Sequence, residues 1–216
     1  MFSSQIDSLD KIFSGELQNG IITEISGLRG TGKTQLSLQF AIEPLSNNKK
    51  ILFIDTTVEF RPERFLQMIQ SRNLSPSLLE NLHVSHVTNT QKQIEILERF
   101  QSDDFSLLII DNVTDLFSFE YSKKEQSFEK HLMFMKYMQN LASVAINAKI
   151  PIIVTNIVRS FDEQELENLE KSIGMFTHIK IRLKKNANGF QCQVVSPFIN
   201  KKFQYNITSS GLTDGS

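Results

Sequence analysis

Apolar residues along the chain fall into two rhythms. Through the first two thirds they come in short unbroken runs: 21–25, 51–55, 107–111 and 152–156, with a weaker one at 82–87. Most close on a polar residue, as in Ile54-Asp55, Ile110-Asp111 and Thr155-Asn156. Runs apolar at consecutive positions suit strands of a parallel sheet covered on both faces. Their polar ends then gather at the carboxyl edge of the sheet, where ligands bind. Helical patterns lie between them. One covers 33–42, one starts at Pro62 and runs to about 72, and one covers 90–100 with Ile94, Leu97 and Phe100 on one side. The longest covers 128–148, where Leu132, Met135, Met138, Leu141, Ala142 and Ala145 keep i, i+3, i+4 spacing as core packing. The last third changes to short strands at 179–184, 190–195 and 203–207, with turn chemistry at 186–189. The pattern predicts one α/β domain over 1–216. It has a mostly parallel central sheet flanked by helices, and an antiparallel β extension at the C-terminal end.

Composition changes this picture little. The chain has 216 residues, enough for a sizeable core, and an apolar fraction of 40%, outside the disordered range. Tryptophan is absent and phenylalanine numbers 17, so Phe must supply most of the aromatic packing. The single cysteine, Cys192, excludes an internal disulfide and reads as a small apolar strand residue. A cytoplasmic location fits. No apolar run approaches membrane-spanning length, and the first residues carry no leader pattern, so neither membrane nor secretion is expected. A net charge of −1 gives no global field for nucleic acid; any DNA contact needs a local basic patch.

The sharpest chemistry lies at 27–34. Gly27-Leu28-Arg29-Gly30-Thr31-Gly32-Lys33-Thr34 reads G-x-x-x-x-G-K-[ST], between a β-rich run and a helix start. Glycines let backbone amides wrap α- and β-phosphates, Lys33 reaches the β/γ-phosphates, and the Thr34 hydroxyl is placed for Mg²⁺. The helix N-terminus adds its dipole. A glycine-rich turn with a surface lysine is the plainer alternative. Asp111, closing an apolar strand, fits the partner carboxylate for the magnesium shell, unless it only caps the next turn. Asp55 competes for that role. Glu59, just past Asp55, is the nearest acid to act as general base with Lys33 at the catalytic end. His83 and His86 flank a strand without a completing ligand set and read as structural.

These residues resemble the RecA/RadA recombinases, most closely the archaeal and eukaryotic branch and its RadB-like paralogues. The resemblance rests on Gly20-Ile21-Ile22-Thr23-Glu24-Ile25, Gly32-Lys33-Thr34-Gln35, Ile54-Asp55-Thr56, Phe60-Arg61-Pro62-Glu63-Arg64, Leu107-Leu108-Ile109-Ile110-Asp111, Ile153-Val154-Thr155-Asn156 and Gly211-Leu212-Thr213-Asp214. It implies a RecA-type P-loop NTPase core that binds ATP and Mg²⁺ through residues 27–35. It implies that Arg64 lies against the adenine, although a solvated helix arginine is the alternative. A first DNA loop falls at 118–127, with Tyr121, Lys123 and Lys124 for a single strand, or else as a solvated basic turn. A second begins at Arg159 and continues into an acidic stretch at 162–170 that repels phosphate. That stretch could instead be a polar helix or a surface for a basic partner. Lys180, Arg182, Lys184 and Lys185 form a basic stripe on the late strands, a second candidate for DNA phosphates or else ordinary solvated charges.

The departures shape the functional expectation. Thr57 stands where the family carries its catalytic glutamate, with Val58 in place of the usual glycine. Ile157 replaces the glutamine after Thr155-Asn156. No N-terminal DNA-binding domain is expected before the core, and no upstream Phe-x-x-Ala self-assembly motif is expected. The expectation is an ATP-binding paralogue with weak or absent hydrolysis, acting as an accessory in DNA recombination and repair. Its expected partners are single-stranded DNA, a RadA-type recombinase or another protein, or a second copy of itself. The alternatives are an ATP-bound protein-interaction module and a KaiC-like signalling ATPase, against which the run at 60–64 argues.

Overall fold

The computed structural model describes residues 2–100, 105–161, 164–167, 169–196 and 199–215, with the backbone alone for 159–161, 164–167 and 196. The elements run α1 (Asp7–Ile12), β1 (Ile22–Gly27), α2 (Lys33–Ser46), β2 (Ile51–Asp55), α3 (Pro62–Gln70), β3 (Leu82–His86), α4 (Thr90–Glu98) and β4 (Leu107–Asp111). They continue as α5 (Asp115–Glu120), α6 (Ser127–Ala148), β5 (Ile152–Phe161), β6 (Gln164–Glu167), α7 (Glu170–Gly174), β7 (Thr177–Asn186), β8 (Gly189–Ser196), β9 (Ile199–Thr208) and β10 (Gly211–Asp214). Short 3₁₀ turns precede β3 and α6.

The sheet order is β10-β9-β8-β7-β1-β5-β4-β2-β3, with β6 paired to β5 off this path. From β7 to β3 every pairing is parallel, and from β7 outward to β10 every pairing is antiparallel. This is the mixed α/β architecture expected.

The apolar runs follow from burial on both faces. Along β4, Leu107 and Ile109 join a core layer with α1, α2 and α3; Leu108 and Ile110 join a second layer with α4, α5 and α6. A strand with helices on either side has no polar face to show. β3, at the sheet edge, is covered incompletely and its apolar pattern is correspondingly weak. Phenylalanine supplies the aromatic packing. Phe40, Phe53 and Phe65 are fully buried in the first layer; Phe117 and Phe134 meet edge to face at 5.2 Å in the second. Cys192 is buried in β8 and burial pushes its thiol pKa up, so it stays an inert apolar side chain.

Several boundaries differ from expectation. α2 continues past Pro44 to Ser46, because Leu45 in its last turn is fully buried. β5 outruns its neighbours to Phe161 and folds back on β6, pairing Val158 with Glu167 and Phe161 with Gln164. The backbone at 164–167 is therefore a hairpin strand, which corrects the polar-helix alternative for the acidic stretch. The corner at 118–127 is largely helical, made of the end of α5, a 3₁₀ turn at Lys124–Gln126 and the start of α6.

Candidate functional site

β1 delivers the chain into the loop at Gly27. A Cβ on this residue would stand 2.3 Å from the Leu183 carbonyl oxygen and 2.7 Å from Thr31 Oγ1, so only glycine fits against β7. Gly32 caps α2 at φ 92°, the left-handed region, and a Cβ there would press Leu212 at 2.9 Å. The loop is tied internally by Thr31 Oγ1 donating to the Leu28 carbonyl at 2.8 Å and Lys33 Nζ donating to the same oxygen at 3.0 Å. From behind, Tyr205 OH on β9 donates to the Thr31 carbonyl at 2.7 Å. Gln39 of α2 holds β10 through both amide atoms, exchanging hydrogen bonds of 2.9 Å with the Leu212 backbone.

Lys33 and Thr34 then open α2, where free first-turn amides attract anions. Across from them, β5 lies between β1 and β4 and brings Asp111 within reach. Thr34 Oγ1 donates to Asp111 Oδ2 at 2.5 Å, and Thr155 Oγ1 on β5 donates to Asp111 Oδ1. A cavity of about 240 Å³ opens over this pair. Arg29, Lys33 and Thr34 line it from the loop and α2; Thr57 and Glu59 line it from the segment after β2. Asp111, Asn112 and Asp115 come from the end of β4 and the start of α5, and Ile157 from β5.

The electrostatics of the cavity follow from burial. Burial lowers the Lys33 pKa; Asp111, Asp115 and Glu59 oppose the shift and Arg29 adds to it. Asp111 is buried, and burial raises its carboxyl above the usual range, with the Thr155 and Thr34 hydrogen bonds and Lys33 working the other way. A hard divalent cation takes oxygen ligands. The Thr34 hydroxyl and the Asp111 carboxylate, side by side, are the donor set that fits one.

Other expected residues are placed differently. Asp55 accepts from Thr57 N at 3.0 Å, Thr57 Oγ1 at 2.9 Å and Phe60 N at 3.0 Å, and faces His86 Nδ1 at 3.2 Å. It is committed to shaping the 56–60 turn, which removes it as the cation ligand and gives His86 a structural contact. Glu59 lines the cavity at its mouth, paired with Arg29, both side chains more than half exposed. Arg64 does not line it. Its guanidinium donates to Gln35 Oε1 at 2.7 Å and to the Thr208 and Ser209 carbonyls at 2.6 and 3.0 Å, pinning the β9–β10 turn.

Tyr121 packs partly buried against the second core layer, while Lys123 and Lys124 are exposed beside it. The side chain of Arg159 lies outside the described residues. The stripe on β7 is internally balanced: Lys180 Nζ lies 3.3 Å from Glu170 and 3.8 Å from buried Glu24, and Arg182 lies 3.3 Å from Glu170. These two cations face carboxylates, contrary to their reading as a phosphate-binding stripe.

Sequence reasoning missed Asn112 and Asp115 as members of the site. The available signal was an acid one helical turn beyond the strand-end aspartate.

Comparison with known proteins follows the same lines. The sequence profile of the Rad51 family matches residues 2–215. The DNA repair and recombination protein RadA of Cenarchaeum symbiosum (strain A) is 27% identical, over 81% of this chain and 46% of that protein. The chain thus spans about half the length of that curated relative. A crystal structure of the RadB recombinase superposes with a TM-score of 0.81 at 25% identity, covering 100% of both chains. With profile, sequence and fold agreeing from one end of the sheet to the other, the chain belongs to the Rad51 family, as a RadB-like member of the RecA/RadA recombinases.

Proposed function

We propose that the chain binds ATP with Mg²⁺ in the cavity over Lys33 and Asp111 and hydrolyses it slowly, as a cytoplasmic accessory in DNA recombination and repair. The observation that carries this reading is the Thr34 hydroxyl at 2.5 Å from Asp111 in a cavity that the half-buried Lys33 also lines. Residues 27–34 wrap the phosphates with main-chain amides, and Lys33 meets the negative charge of the β/γ-phosphates. Thr34 and Asp111 hold the cation, which neutralises phosphate charge when bound. Slow turnover follows from two side chains: Thr57 spends its hydroxyl on Asp55, and Ile157 turns an apolar wall to the cavity. The chain is proposed as one RecA-like core domain.

Single-stranded DNA is assigned to the corner carrying Lys123 and Lys124 and to Arg159 of the second loop. A RadA-type recombinase or a second copy is the proposed protein partner. The test of the nucleotide reading is titration of a fluorescent ATP analogue with Mg²⁺. Lys33→Ala should weaken affinity about a hundredfold or more, as loss of a buried charge–phosphate contact does, and leave the melting temperature unchanged or higher. Equal affinity in that variant would refute the site.

A further inference from the structure

Away from the nucleotide cavity, β9 leaves part of its length open. β8 pairs with residues 199–205 on one side, whereas β10 pairs only with 205–208 on the other. Gly215 N donates to the Gln204 carbonyl at 2.8 Å, which fixes the side to which even-numbered residues turn their main-chain groups. Those of Asn200 and Lys202 therefore face outward, and among the described residues no strand meets them. α1 lies alongside, held where β10 ends by Ser8 N donating to Asp214 Oδ1 at 3.2 Å. A groove of about 490 Å³ runs between α1 and this edge. Ile12, Ile199 and Phe203 are its apolar part, each half-buried against the first core layer. Lys11, Lys201 and Lys202 border it, all exposed. Among the described residues no carboxylate lines the groove, and none of the three ammoniums has a carboxylate partner. Asp10, on the same helix as Lys11, accepts from Ser3, Ser4 and Gln5 instead.

We propose that residues 199–203 take up an extended acidic segment of a partner protein as an added strand. The main-chain groups of Asn200 and Lys202 pair with it, an apolar side chain of the segment enters the groove, and its carboxylates meet the three lysines. Side chains of an added strand alternate between faces, as Lys201 and Lys202 do, so acidic residues flanking an apolar one fit the edge. Nucleic acid offers the same negative charge without amides to continue the sheet. The groove shares no residue with the nucleotide cavity, so the inference stands whether or not ATP binds.

The plainer role for these lysines is to keep an open edge from pairing at all. The experiment is fluorescence anisotropy of a short labelled peptide, aspartates alternating with leucine and phenylalanine, titrated with the full chain. Matched probes are a peptide carrying lysine in place of aspartate and an oligothymidylate. The acidic peptide alone is expected to bind. Lys201→Glu with Lys202→Glu should weaken it about tenfold or more, as facing like charges do, at an unchanged melting temperature. Lys202→Pro, whose missing N–H points away from β8, should weaken it further than Lys202→Gln. The proposal is overturned if the acidic peptide does not bind, if Lys202→Pro binds it as well as Lys202→Gln, or if the oligothymidylate binds as tightly through the same lysines. It is also overturned if sedimentation shows self-association that the double glutamate variant abolishes, since the edge then belongs to a second copy.

Discussion

Asp111 sits buried at the end of β4, and burial holds its carboxyl above the ordinary range despite two donated hydroxyls. An unfolded aspartate titrates near about 3.9. A group raised in the fold contributes stability that is whole below the unfolded pKa and lost as pH rises through the folded one. Nucleotide-free protein therefore carries a penalty at neutral pH that it does not carry in acid. Asp111→Asn should melt close to wild type below about pH 4, and above wild type at pH 7. The gain should be about 1 kcal/mol, or roughly 2–4 °C for a chain of this size. The same variant should lose Mg²⁺-dependent nucleotide affinity. Melting curves across that pH range decide it; a variant that melts lower than wild type at neutral pH would show that the carboxylate is comfortable where it lies. Lys33 and Asp111 were readable as site residues because each closes or opens an element with a known phosphate pattern. Asp115 was not, because its place beside Lys33 depends on how α5 leaves the strand.

Among the elements, the 56–60 turn shows local conflict. Val58 holds φ 57°, the left-handed region, with its side chain 54% exposed. A β-branched residue there is strained by about 1–2 kcal/mol, and little burial repays it. Glycine loses more chain entropy on folding, by about 0.5–1 kcal/mol. Val58→Gly should therefore stabilise the protein modestly, by about 0.5–1 kcal/mol. Chemical denaturation measures this; a destabilised variant would mean that the turn needs the valine. The strands were legible because both sheet faces are covered, so hydrophobic runs had no competing explanation. The short helices α1, α5 and α7 were not, since five or six residues complete too few turns to register as a period. The β5–β6 hairpin escaped because the charged run at 162–167 carries no apolar alternation to read as a strand.

At the scale of the molecule, charge decides how DNA could be held. Net charge is −1 and two members of the β7 stripe face carboxylates, so the exposed lysines at the α5–α6 corner are the proposed phosphate contacts. Phe119 and Phe128 stand about four fifths exposed at the same corner and can stack on bases. Single-stranded DNA binding should weaken with salt, with a log–log slope near −1 to −2, as expected for two or three single-strand phosphate contacts. Removing Lys123 and Lys124 together should flatten that slope. A salt-independent affinity would argue for a protein partner in place of DNA. Among the described residues no helix is long and apolar enough to cross a membrane. Sheet order, by contrast with strand identity, could not be read from the chain. The placement of β5 between β1 and β4 emerges only when the layers pack.

Eight consecutive letters describe the phosphate loop, yet its shape is cast against a wall built far away in the chain. Leu183 leaves no room for a side chain at Gly27, Leu212 crowds Gly32, and Tyr205 grips Thr31 across 174 positions of sequence. Transplanting residues 27–34 into a foreign scaffold would carry the letters and leave the mould behind.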